Sequence, residues 1–108
     1  MEISQIRQQL SQVDQIINRA SQAIKKDKAA PKELKDCVQQ LGSQSRQAQQ
    51  TLKQVQDAET LMQCIDDLEK TSDRANQACE NVRNLDAQAK TAVHEVYLQL
   101  SELKEQLH

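Results

Sequence analysis

The sequence predicts an all-α protein: one antiparallel, up-and-down helical bundle domain spanning 1–108, with four helices favoured over three. Three observations carry this expectation. Apolar residues recur at alternating intervals of 3 and 4, the period of helices that pack on one another. Gly42 and Pro31 are the only residues of their kinds in 108. That is too few turn formers for a sandwich or barrel, and it leaves no glycines for the phosphate turns of a doubly wound α/β fold. The apolar positions on the two sides of Pro31 also mirror one another, as they must where a chain doubles back.

The first run is Ile3, Ile6, Leu10, Val13, Ile17, Ala20, Ile24, separated mostly by Gln, Ser, Arg, Asp and Asn. It closes on Lys25-Lys26-Asp27-Lys28, where cations suit a helix C-terminus, and Pro31 fits the first position of the next helix. The second run is Leu34, Val38, Leu41, Ser45, Ala48, Leu52, Val55. Reflected about a turn at 27–31, it pairs Ile24 with Leu34, Ala20 with Val38, Ile17 with Leu41, Leu10 with Ala48, Ile6 with Leu52 and Ile3 with Val55. Small residues face large ones, which lets two helices interdigitate. Gly42, inside the second helix, costs about 1 kcal/mol against alanine and marks a place where that helix could kink or break.

The third run, Leu61, Ile65, Leu68, Ser72, Ala75, Cys79, Val82, is out of phase with the second, which places a break near 56–60 with Asp57 as a cap. The fourth, Ala89, Val93, Val96, Leu100, Leu103, Leu107, is the most apolar. Between them Asn84 suits a left-handed helix end and Asp86 the next N-cap. The four helices are expected at 2–27, 31–56, 58–83 and 86–107. Two other layouts share the pattern. A turn at Thr71-Ser72-Asp73 would give three helices, and the unbroken phase from 61 to 107 would allow one long helix.

Mean hydropathy is −0.81 and glutamine makes up about one residue in six, a composition that raises disorder as a possibility. Net charge of only −2 and the periodic placement of apolar residues argue for order instead. The polar N-terminus and short apolar runs, such as Val96-Tyr97-Leu98, predict no export signal and no membrane span. Cys37, Cys64 and Cys79 form no CxxC motif, so a cytoplasmic protein with three reduced thiols is expected. Three helices would bring Cys64 towards Cys79, whereas four would bring Cys37 beside Cys79.

No catalytic constellation is recognisable, and no cofactor or metal is expected. A di-metal carboxylate bundle needs inward Glu and Glu-x-x-His on its helices, and the one such spacing, Glu105 to His108, ends the chain. His94 lacks the Lys-Gly pair that follows a phosphotransfer histidine. Adjacent carboxylates such as Asp66-Asp67 point about 100° apart on a helix. Lys25, Lys26, Lys28, Lys32 and Lys35 form the densest charge cluster, a candidate anion contact. With Tyr97 the only aromatic, nucleic-acid binding is not expected. The remaining reading is a non-enzymatic helical interaction protein, an adaptor, chaperone-like or self-associating bundle. Ile16, Met62, Leu85 and Leu98, apolar but off the main seam, are its candidate interface, towards a protein partner or in a homodimer. The alternative is a small-ligand or metal-binding bundle.

Overall fold

The computed structural model describes residues 3–54 and 58–107, apart from the side chains of Ile3, Ala58 and Leu107. Four helices follow in order: α1 (Ile3–Lys26), α2 (Lys32–Gln54), α3 (Ala58–Glu80) and α4 (Ala87–Leu107). They make up 89% of the described residues, among which there is no strand. At a 1.5 Å rise a helix the length of α1 spans about 36 Å, which matches the 42 Å long axis of the bundle.

Each boundary has a local cause. Lys25 and Lys26 close α1. Pro31 lies one residue before the first residue of α2, and its carbonyl accepts the Lys35 amide at 3.2 Å. The turn that starts α4 is capped as expected: Asp86 Oδ1 accepts the Gln88 amide at 3.2 Å. The end of α3 differs from expectation. Asn84 is not left-handed, because no described non-glycine residue has positive φ. The Asn81 amide still makes the α-helical bond to the Gln77 carbonyl at 3.3 Å, and the chain then tightens at Val82, whose amide reaches the Cys79 carbonyl three residues back at 3.2 Å. The expected Asp57 cap and the Ile3–Val55 layer lie outside the described residues.

α2 runs through Gly42 unbroken, and α3 runs through Thr71-Ser72-Asp73 unbroken. The loop signal at 71–73 fails because both hydroxyls turn back onto their own helix. Thr71 donates to the Asp67 carbonyl at 3.1 Å and Ser72 to the Glu69 carbonyl at 2.8 Å, the i−4 and i−3 bonds by which these residues settle into a helix. Neither three helices nor one long helix from 61 to 107 is formed. At Gly42 an added Cβ would meet Arg46 Nη2 at 3.5 Å and Ile17 Cγ2 at 4.0 Å, both ordinary contacts. Gly42→Ala should therefore raise stability by about 0.5–1 kcal/mol, read as a higher urea midpoint at unchanged slope.

Each helix packs against two neighbours, in the cycle α1–α2–α3–α4–α1. The seam residues fill the centre: Leu10, Val13, Leu34, Leu68, Ala75, Ala89, Val96 and Leu100 are wholly buried. Among the described residues of the expected seam only Val82 is partly buried instead. With Ile3 lettered a through α1 and α2, and Ser72 lettered a through the shifted phase of α3 and α4, a second pattern emerges. The g positions Ile16, Cys37, Thr71 and Ala78 are buried as well. The e positions hold Arg7, Asp14, Lys35, Gly42, Glu69, Lys90 and Lys104, which are exposed or half-buried. A helix with two neighbours buries a wider stripe than a/d alone. In this up-and-down order the g sides close the α2–α3 and α1–α4 contacts, while the e sides border the α1–α2 and α3–α4 grooves.

Candidate interaction site

The four off-seam apolar residues separate into two kinds. Ile16 and Leu85 are 5% and 7% exposed and belong to the core. The expectation that they are free for a partner is corrected here: Ile16 occupies a g position, which faces the neighbouring helix, and Leu85, in the connection between α3 and α4, packs into the core. Met62 is half-buried, on the α3 side of the α3–α4 groove beside Glu59 and Asp66. Leu98 is 52% exposed on the outer face of α4, the one large apolar side chain so exposed among the described residues.

The five lysines are all exposed, and the structure does not gather them into one patch. Lys25 and Lys35 line the groove between α1 and α2, with Arg46 beside them over Gly42. That groove holds about 380 Å³ above Ile17, Ile24 and Val38, and no carboxylate lines it. The Arg46 Nε donates to the Gly42 carbonyl at 3.2 Å, which lays the guanidinium along its own helix. Lys26 instead lines a groove of about 540 Å³ between α1 and α4, shared with Arg19, Asp86 and Glu95. Further along that side the lining is purely amide, from Gln5, Gln8, Gln9, Gln12 and Gln106, with Gln9 donating to Gln106 at 3.4 Å. Lys28 lies in the α1–α2 turn and Lys32 opens α2.

The α3–α4 groove has the opposite character. Lys104 sits 3.2 Å from Asp66 and 3.5 Å from Glu69, and the two carboxylates raise its ammonium above the ordinary 10.5. His94, the candidate set aside on sequence, is exposed: its Nδ1 lies 3.3 Å from Asn76 Oδ1 and its ring stacks 6.5 Å from Tyr97. Among the described residues no group of three or more His, Cys, Asp and Glu is placed to hold a metal ion. No described helix is long and apolar enough to cross a membrane.

At the turn end of the bundle, Asp27 ties two loops together. Its Oδ1 accepts the Ala29 amide at 2.9 Å and its Oδ2 the Asp86 amide at 2.6 Å. The Asp86 and Ala29 amides, with Lys35 nearby, hold the Asp27 carboxyl below its ordinary 3.8. A carboxyl lowered in the folded state contributes stability above pH 3.8 and loses it as pH falls through the folded value. Asp27→Asn should therefore lower the urea midpoint at pH 5, and the gap to the parent should close as pH falls below 3.8.

All three cysteines are free thiols; Cys37 and Cys79 are buried and Cys64 half-buried. Burial pushes Cys79 up to about 11, with the neighbouring Cys37 adding to the shift. It raises Cys37 and Cys64 too, the latter opposed by a hydrogen bond with Thr51. The four-helix order thus puts Cys37 beside Cys79, across α2 and α3. Copper-catalysed oxidation should give a 37–79 crosslink and no 64–79 crosslink, read by peptide mass mapping.

Comparison with family models, with curated proteins and with solved structures finds no match to this chain. The site is therefore read from its own residues. Sequence reasoning singled out the lysines nearest the first turn, set Asp66 aside as half of an adjacent carboxylate pair, and passed over Arg46, Lys53, Asp73 and Glu80. The signal that marks them is their heptad letter: all are b, the position next to e on the helix surface.

Proposed function

We propose that the protein is a non-enzymatic helical interaction protein, adaptor or chaperone-like in character, that binds another protein or a second copy through its helix faces. The observation that supports this most is the α1–α2 groove, where three cations line a trough with no carboxylate among its lining residues. Exposed charge sorted by face is recognition chemistry: it steers encounter and rejects like-charged surfaces. The apolar residues, by contrast, are largely consumed in the core, so a partner would be held by polar and charged contacts around Met62- and Leu98-sized anchors. A protein partner suits this surface better than nucleic acid, since one tyrosine offers no stacking platform. Three free thiols, two of them buried, suit the reducing cytoplasm.

The test uses the full chain in its native cell, with a photoreactive residue in place of Leu98 or Met62. Discrete protein adducts at either position, together with substoichiometric metal in the purified chain, are expected. A stoichiometric transition metal, or no protein adduct at any surface position of the four helices, would overturn the reading.

A further inference from the structure

We propose that the occupant of the α1–α2 face is a second copy of this chain, docked through its acidic α3–α4 face, so that copies associate front to back. This rests on the helix-face reading above and names its partner. The first observation is segregation of charge. α1 and α2 carry eight cations against three carboxylates, while α3 and α4 carry nine carboxylates against four cations. A chain whose overall charge is only −2 is thus strongly dipolar across its width.

The second observation is register. On α2 the b positions hold Lys32, Gln39, Arg46 and Lys53; on α3 they hold Glu59, Asp66, Asp73 and Glu80. Seven residues at 1.5 Å each place successive b positions about 10.5 Å apart in both rows, with charge at three of the four on α2 and at all four on α3. Two straight stripes of opposite sign and equal pitch can be laid against each other over their full length. Within a chain the two stripes face apart, because α2 and α3 meet through their g sides, away from b, and Asp66 is ion-paired to Lys104 of α4. Among the described residues no carboxylate reaches ion-pair distance of Arg46, at the middle of the basic stripe.

The third observation is the material between the charges. Met62 is half-buried on the acidic face, in a shallow depression lined with Glu59, Gln63 and Asp66. The basic groove has an apolar floor of Ile17, Ile24 and Val38, flanked by Lys25, Lys35 and Arg46. An apolar side chain beside two carboxylates thus answers an apolar trough flanked by three cations. The two faces lie on opposite sides of the bundle, so the contact is heterologous. Each copy keeps one free face of each sign, and the association continues as an open row or closes as a ring.

Exposed charge pairs are screened by salt, with a Debye length of about 30 Å at 0.01 M and 3 Å at 1 M. Sedimentation at high micromolar protein should show a weight-average mass at least double 12.3 kDa in the dilute salt and a monomer in the concentrated salt. Arg46→Glu with Lys53→Glu removes the net positive charge of the α2 stripe, and Asp73→Lys with Glu80→Lys removes the net negative charge of the α3 stripe; each variant keeps its other stripe intact. Each variant, checked for helicity by circular dichroism, should be monomeric alone at low salt, and the two should associate when mixed. Lys26→Glu with Lys28→Glu changes net charge by as much as the first pair but leaves both stripes intact, and should still associate. A monomeric parent at low salt, a mixture that stays monomeric, or equal loss in the Lys26 and Lys28 control would overturn the proposal. Photo-adducts to other proteins alongside a monomeric parent would remove the second copy alone and leave the helix-face reading standing.

Discussion

Leu100→Ala is expected to lower stability by about 2–5 kcal/mol, whereas Leu98→Ala, two residues away, should change it by less than about 0.5 kcal/mol. The two leucines share a helix, a residue type and nearly the same height in the bundle. They differ in burial: Leu100 is wholly buried and Leu98 is 52% exposed. Truncating Leu100 removes three heavy atoms from a centre packed by all four helices, and the cavity left behind adds to the lost transfer energy. Truncating Leu98 removes apolar surface that already meets water. For a chain of this size each kcal/mol moves the melting point by roughly 4–8 °C. Thermal melts followed at the helical circular-dichroism band should therefore separate the two variants by at least several degrees. Equal losses would mean that α4 is rotated about its axis and that Leu98 faces a core.

The contrast also shows what the chain discloses of itself. The a/d seam was legible because burial at a helix contact repeats every 3 or 4 residues. Leu10, Ile17, Leu41, Leu68 and Leu100 all stand where that repeat puts them. The turn at 27–31 was legible because proline cannot sit deep in a helix. What the repeat could not reveal is which flank of each seam is closed. Ile16 and Leu85 look like surface anchors in a one-dimensional pattern; Ile16 becomes core once a second neighbour covers the g side, and Leu85 once the α3–α4 connection folds over the end of the bundle. Asn84 and the 71–73 cluster misled for a related reason. Local turn propensity is weak against a helix whose apolar face is already packed, and Thr71 and Ser72 lose nothing by bonding their own helix. The candidate site was less legible than the fold. The cluster of lysines was visible as a run in sequence, but a run around a turn is divided among faces in space. The stripes on α2 and α3 are spaced seven residues apart, and a reading by neighbourhood passes over them.

Ser45→Ala is expected to raise stability by about 1–2 kcal/mol. Ser45 and Ser72 both occupy a positions in the core, and both are wholly buried. Their hydroxyls have different fates. Ser72 donates to the Glu69 carbonyl at 2.8 Å, whereas the Ser45 hydroxyl has no hydrogen-bond partner. A buried polar group without a partner costs about 1–3 kcal/mol in lost hydration. Alanine removes that cost, fits the same space with one atom fewer, and is the better helix former by a few tenths of a kcal/mol. The small void it leaves offsets only part of the gain. Ser72→Ala gives up a made bond worth about 0.5–1.5 kcal/mol and recovers helix propensity, so it should be neutral to mildly destabilising. The order Ser45→Ala above parent, with Ser72→Ala at or below it, is the readout in urea unfolding at constant slope. If Ser45→Ala instead fell below the parent by more than about 1 kcal/mol, the Ser45 hydroxyl would be bonded in solution. The α2–α3 contact would then pack in a different register from the one that leaves Arg46 facing the α1–α2 groove.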